Sequence, residues 1–204
     1  MARMSRALLV DLDGVVRTWD PRITAQAETR HGLPTGSIAA TAFAVDLLLR
    51  VVTGRITDDS WRDEVTARLE SAHGPTARAA VLDWSEPVGE VDRQVLGIVR
   101  EVRRRMPVVL VTNATSRLSR DLSALSLDAE FDAVVNSSEV GVAKPAAGIF
   151  LRACELVGAA PDGSLFVDDS AANVDAAVAL GFSGHVFESV DGLRAFLANS
   201  ATAL

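Results

Sequence analysis

A chain of 204 residues, 49% of them apolar and with a formal net charge of −7, suits one compact domain carrying a smaller insertion. The acidic balance argues against nucleic acid or a membrane surface as partner, and a single cysteine, Cys154, leaves no intrachain disulfide to form. No apolar run approaches a membrane span, and Ala7–Val10 is too short for a signal peptide, so the expected location is the cytoplasm.

In chain order, Ala7–Val10 reads as a buried parallel strand that empties abruptly into Asp-Leu-Asp-Gly. Residues from about Ile23 to Leu82 then change character. Ile23–Arg30, Ser37–Val52 and Asp58–Glu70 read as helices with no strand between them, Asp58 or Asp59 is placed to cap the third, and Asp83–Pro87 has the composition of a linker. From Val88 strands and helices alternate. Helices are expected at Val91–Arg105, Ser116–Leu125, Pro145–Val157, Ala171–Leu180 and Val190–Ala198. Strands are expected at Pro107–Val111, Phe131–Val135, Ser164–Val167 and His185–Phe187. Pro145 suits an early helical turn, Gly181 a helix end, and the basic run Arg103–Arg105 the carboxyl end of a helix dipole. The pattern predicts an α/β fold: a Rossmann-like, doubly wound parallel sheet with a small all-helical cap inserted after the first strand. Residues 1–16 and 84–204 would form the core, and residues 17–83 the cap. Because both connections border the first strand's end, the cap is expected to act as a lid, with Gly14 and Asp83–Pro87 as hinges.

Three predicted strands end in polar residues: Asp11 with Asp13, Thr112 with Asn113, and Asp168 with Asp169. Ligands of open parallel sheets bind outside the carboxyl ends of strands, so these groups should converge on one crevice. Lys144, just before a predicted helix, can reach it. Each element also has a plainer reading. Asp13-Gly14 suits a turn, Thr112-Asn113 and Asp168-Asp169-Ser170 suit helix N-caps, and Lys144 suits a solvated surface. It is their joint order and placement that point to chemistry. His31, His73 and His185 show no ligand spacing. Trp19, Trp61 and Trp84 read as packing residues, with Trp19 close enough to the first motif to reach a substrate.

These segments resemble the haloacid dehalogenase-like hydrolase superfamily over nearly the whole chain. The first motif reads Val10-Asp11-Leu12-Asp13-Gly14-Val15, the second Thr112-Asn113, the third Lys144-Pro145, and the fourth Val167-Asp168-Asp169-Ser170 with Asn173 beyond it. The helical insertion looks like the small cap of the superfamily's first subclass, and Thr53–Trp61 is similar to a recurring segment of it. The resemblance implies a Mg²⁺-dependent phosphatase acting through an aspartyl-phosphate on a small phosphorylated metabolite. Asp11 would be nucleophile and metal ligand, and Asp13 would lend its main-chain carbonyl to the metal while its free side chain serves as acid and base. Thr112 and the Asn113 N–H would hold phosphate oxygens, with Lys144 supplying positive charge. Asp169 would bind the metal directly, Asp168 would bind through water or support the shell, unless the two share these roles, and Ser170 and Asn173 would orient both.

Two rivals share the fold. A 2-haloacid dehalogenase needs no acid at position 13, which as that group is usually seen holds an aromatic residue. A phosphomutase would need the same residues and a tighter cap. A non-catalytic binding protein would be expected to have lost Asp11 or Asp13. Ala146, where many relatives carry an acidic residue, suggests a less firmly held Lys144. A monomer and a homodimer are both compatible with the sequence.

Overall fold

A computed structural model describes residues 5–202; the outermost ends of the expected core, 1–4 and 203–204, lie outside the described residues. The elements in chain order are β1 (Leu8–Val10), β2 (Arg17–Thr18), α1 (Ile23–His31), α2 (Ser37–Ala42), α3 (Val45–Val52), α4 (Asp58–His73), α5 (Ala77–Ser85), β3 (Glu90–Val91) and α6 (Arg93–Arg103). There follow β4 (Val108–Thr112), α7 (Leu118–Ala124), β5 (Ala133–Asn136), α8 (Ser137–Val140), α9 (Ala147–Val157), β6 (Leu165–Asp168), α10 (Ala171–Val178), β7 (Ser183–Val186) and α11 (Val190–Thr202).

Five strands form one parallel sheet in the order β5-β4-β1-β6-β7, with Val10 in register with Leu110 on one side and Val167 on the other. The near-continuous apolar runs of β1, β4 and β6 follow from burial on both faces. Because side chains alternate along a strand, Leu8 and Val10 join Val95, Val99 and Leu122 on one face, with α6 and α7. Leu9, Val109 and Phe166 join Phe150 and Val174 on the other, with α9 and α10. Helices α1–α5 enclose a third apolar cluster, built around Ile38, Leu47, Trp61, Val65 and Leu69. No helix among the described residues is long and apolar enough to cross a membrane.

The structure corrects several local expectations. The helix expected over Ser37–Val52 is two helices, broken where Ala44 is extended (ψ 132°) and Phe43 turns outward to meet Trp84. Thr57, not Asp58 or Asp59, caps α4, its hydroxyl accepting the Ser60 N–H at 3.1 Å. Asp58 is thereby freed to accept the Thr115 hydroxyl at 2.7 Å. The expected linker Asp83–Pro87 is helical as far as Ser85, because α5 buries Ala77, Ala80 and Val81 against α1 and α4. Pro145 stands before the N-cap Ala146 and outside α9. Residues 17–18 and 90–91 pair as a two-stranded antiparallel ribbon, too short for a periodicity to reveal.

That ribbon also removes Gly14 from the role of hinge. Gly14 sits at φ +79°, and a Cβ there would overlap the Asp169 carboxylate, so glycine is required for close approach within the site. Its N–H donates to the Arg17 carbonyl at 2.9 Å, which closes the loop upon itself.

Candidate active site

Asp11 directly follows β1, Thr112 closes β4, and Asp168 closes β6. The chain builds the sheet from β1 outward through β4 and β5, then crosses back to place β6 on β1's other side. The switch point therefore falls beside Asp11, where an open α/β sheet offers its crevice. The Asp11 N–H is fixed there by the Val167 carbonyl at 2.9 Å.

Of the residues expected to meet, Asp11, Asp13, Thr112, Asn113, Lys144, Asp169 and Asn173 line one crevice of about 550 Å³. Asp168 lies behind it, fully buried, with Ser170 beside it. Lys144 is the hub. Its Nζ lies 2.7 Å from Asp11 Oδ1 and 2.6 Å from Asp168 Oδ2, and donates to the Val111 carbonyl at 2.9 Å. Its backbone is held from both sides by the Asn113 side chain, which accepts the Lys144 N–H at 2.8 Å and donates to its carbonyl at 2.9 Å. The absence of an acidic residue at Ala146 therefore does not loosen Lys144, contrary to expectation.

Asp168 is held by three residues. It accepts the Ser170 N–H at 2.8 Å and the Asn173 amide at 3.0 Å, besides the Lys144 ammonium. Asp169 points the other way, towards Gly14 and the crevice. Asp11, Asp168 and Asp169 each offer a carboxylate oxygen, all within 4.8 Å of one another. Burial pushes Asp11 up to about 7, with Asp168 adding to the rise and Lys144 opposing it. Burial and then the charge of Asp168 raise Asp169 also. One ammonium thus faces three crowded, partly desolvated carboxylates, a hard-oxygen donor set that fits a small divalent cation.

The side chain of Asp13 is not free, as the sequence suggested. Arg17 grips it with two hydrogen bonds of 2.7 and 2.9 Å, and the Trp19 indole N–H donates to it at 2.6 Å. Arg17 is buried, and its guanidinium also reaches Asp121 at 3.2 Å. Arg17 and Asp121 were missed by sequence reasoning, as was Thr18, which lines the crevice. A signal existed for Arg17: it stands four residues after Asp13, immediately behind the apolar pair Val15-Val16. For the link from Arg17 to Asp121 there was none, since it forms through the fold across 104 residues; only the local pair of Asp121 with Arg117, four residues earlier, was open to the sequence.

The model of the haloacid dehalogenase-like hydrolases matches residues 6–181. N-acylneuraminate-9-phosphatase of Rattus norvegicus is 30% identical over 81 residues, which is 39% of this chain and 33% of that protein. The chain spans a third or less of the length of the curated relatives it matches. Among solved structures, a haloacid dehalogenase-family enzyme from Bacteroides thetaiotaomicron, in complex with magnesium and inorganic phosphate, has a TM-score of 0.72 at 22% identity, covering 90% of this chain and 94% of that one. The L-2-haloacid dehalogenase of Xanthobacter autotrophicus has a TM-score of 0.65 at 20% identity, covering 96% and 83%. At such identities the two structures share the fold with this protein. With the family model spanning most of its length and the motif residues gathered at the switch point of the sheet, the chain belongs to the haloacid dehalogenase-like hydrolases.

Proposed function

We propose that this protein is a phosphatase that hydrolyses a small phosphate monoester through an aspartyl-phosphate on Asp11. The observation that carries the reading is the pair of carboxylates on one short loop: Asp11 deep in the crevice beside Lys144, Asp13 at its mouth. A dehalogenase displaces halide from carbon and has no use for an acid at Asp13. The relative named as a phosphatase points the same way.

The Asp11 carboxylate attacks phosphorus and the bond from phosphorus to the ester oxygen breaks. Asp13 gives its proton to that departing oxygen, so the leaving group departs as a neutral alcohol. Asp13 then takes a proton from the water that attacks the phosphorus of the aspartyl-phosphate, which releases inorganic phosphate and restores the Asp11 carboxylate. Thr112 and the Asn113 N–H hold the non-bridging oxygens, and Lys144 offsets the negative charge that gathers as the bond to Asp11 forms. Asp11, the Asp13 carbonyl and Asp169 would hold Mg²⁺, with Asp168 behind them through water and Ser170 and Asn173 orienting the carboxylates. Bound there, the cation supplies charge neutralisation between the carboxylates and a phosphate dianion. For Asp13 to act as acid, its grip by Arg17 and Trp19 has to loosen when substrate enters.

The test is hydrolysis of 4-nitrophenyl phosphate. Protein treated with a chelator is expected to be inactive and to recover on addition of Mg²⁺. Undiminished turnover in excess chelator would overturn the part given to the metal; no turnover with Mg²⁺, together with chloride release from 2-chloropropionate, would overturn the phosphatase reading and favour the dehalogenase.

A further inference from the structure

Beside the crevice, and sharing Asp13, Trp19 and Asn113 with it, lies a second cavity of about 420 Å³ between the cap helices and the sheet domain. Its walls are aromatic. Phe43 and Trp84 meet edge-on with centroids 6.2 Å apart, and Trp61 and Trp84 do so at 5.6 Å. Trp19, the link to the crevice, stacks under the Arg17 guanidinium at 4.7 Å. Phe43 is 52% and Trp19 41% exposed, so the ring surface facing this space is not consumed by internal packing.

The charges of the cavity have all been spent internally. Three guanidinium groups line it, those of Arg17, Arg62 and Arg117, and each holds a carboxylate of the same wall. Arg62 pairs with Asp58 and donates to the Ser85 carbonyl at 2.8 Å. Arg117 pairs with Asp121 at 2.7 Å and donates to the carbonyls of Ser85, Glu86 and Pro87. Arg17 holds Asp13 and Asp121. Four carboxylates, Asp13, Asp20, Asp58 and Asp121, stand against these three cations. A ligand bearing a second anionic group would meet no unpaired cation in this arrangement, and Arg17, once loosened from Asp13, still holds Asp121. A polyol would have to compete for its partners, since the Thr115 hydroxyl and the Asn113 amide are engaged with Asp58 and Lys144 and the carboxylates are held by arginines, which leaves chiefly the Thr24 and Ser85 hydroxyls.

We infer that this cavity receives the alcohol side of the substrate and that its chemistry is that of an uncharged aromatic ring: the substrate is a phosphate monoester of a neutral arylalkyl alcohol. The inference rests on the phosphatase reading and sharpens it. The reaction is the one already described, with the phosphorus–oxygen bond broken and the alcohol leaving with the Asp13 proton. An apolar ring stacks on the flat walls and displaces poorly bonded water. A carboxylate or a run of hydroxyl groups cannot recover in the cavity the hydration it loses.

The test compares three alkyl phosphates with leaving alcohols of similar basicity, using the full chain with Mg²⁺: benzyl phosphate, its 4-carboxy derivative, and glycerol 3-phosphate. The expected order of kcat/KM has benzyl phosphate ahead of both others by about tenfold or more, a size typical of discrimination by an apolar pocket. Phe43→Ala, at a half-exposed position where folding is not threatened, and Trp84→Phe should each narrow that ratio, mainly through a higher KM for benzyl phosphate. Glycerol 3-phosphate or the carboxy derivative turned over as well as benzyl phosphate would overturn the inference and leave the phosphatase standing. If none of the three is turned over, and 4-nitrophenyl phosphate is not either, both fall together.

Discussion

The crevice at the carboxyl ends of β1, β4 and β6 and the aromatic cavity beneath α4 and α5 touch through Asp13 and Trp19 but are built differently. In the crevice the polar groups hang from strand ends, from the loops that leave them and from the first turn of α10, and most of their positions are inherited from the register of a parallel sheet. Lys144 is held at Nζ and at both sides of its backbone, and Asp168 accepts from three residues. The cavity wall is assembled by side chains from separate helices and loops, Phe43 after α2, Trp61 on α4 and Trp84 on α5, with hydrogen bonds from Thr115 to Asp58 and from Arg117 to the Ser85 carbonyl bridging them to the sheet domain. The first arrangement suits chemistry, which needs atoms held to fractions of an ångström. The second suits selection among leaving groups, which tolerates looser placement and changes with single side chains.

The comparison can be broken most sharply at its chemical end. Asp11→Asn removes the proposed nucleophile from the crevice and leaves the cavity untouched. Turnover of every substrate and accumulation of a phosphorylated enzyme should both vanish, which rapid-quench phosphate release and intact-mass measurement would reveal. Residual phosphorylation of the variant would sink the assignment.

Next in size is Asp13→Asn, which keeps the main-chain carbonyl and removes the proposed proton donor. Turnover should fall by a factor on the order of 10²–10⁴. The loss should shrink as the leaving alcohol becomes more acidic, since such a group needs less protonation. An equal loss across leaving groups would instead assign Asp13 to structure. Stability should change little, because the Asp13 side chain is 40% exposed and its bridge to Arg17 is partly solvated.

Where the cap helices meet the sheet domain stands Gly54, at φ +69°, where a Cβ would overlap the carbonyl of Ser138 in α8. Gly54→Ala should cost about 1–3 kcal/mol in denaturant unfolding, through backbone strain and a displaced cap. If the cap carries specificity and the crevice carries chemistry, KM for bulky substrates should suffer more than turnover of 4-nitrophenyl phosphate. A variant as stable as the parent would show that the cap does not dock through this contact.

The subtlest effect concerns motion. We propose that residues 19–22 and 86–89, which join the β2–β3 ribbon to the cap helices, are where the cap turns. Mg²⁺ and vanadate together should alter amide exchange in these two segments more than in β1. Unchanged exchange in both would make the cap a fixed wall.

The parallel sheet and the meeting of the motif residues at one crevice were legible in the sequence. Apolar runs of four or five residues ending in carboxylates define buried parallel strands, and the carboxyl ends of such strands share one edge of the sheet whatever the helices do. Asp11, Thr112, Lys144 and Asp169 could therefore be placed together before any coordinates, with the family's motifs adding their roles. What only the tertiary structure decided lies between segments distant in sequence. Asp121 meets Arg17 across 104 residues, Asp58 takes the Thr115 hydroxyl across 57, and the break at Phe43 follows from its ring's place against Trp84. Propensity and periodicity act within a few turns of chain, so they register a helix or strand and the residue that ends it. A salt bridge or an aromatic cluster depends instead on how whole elements pack, and its partners carry no mark in their own neighbourhoods. For the same reason Asp13 could be read as a free acid from its motif, while the arginine that grips it became visible only when the ribbon of residues 17–18 and 90–91 had been folded back beside it.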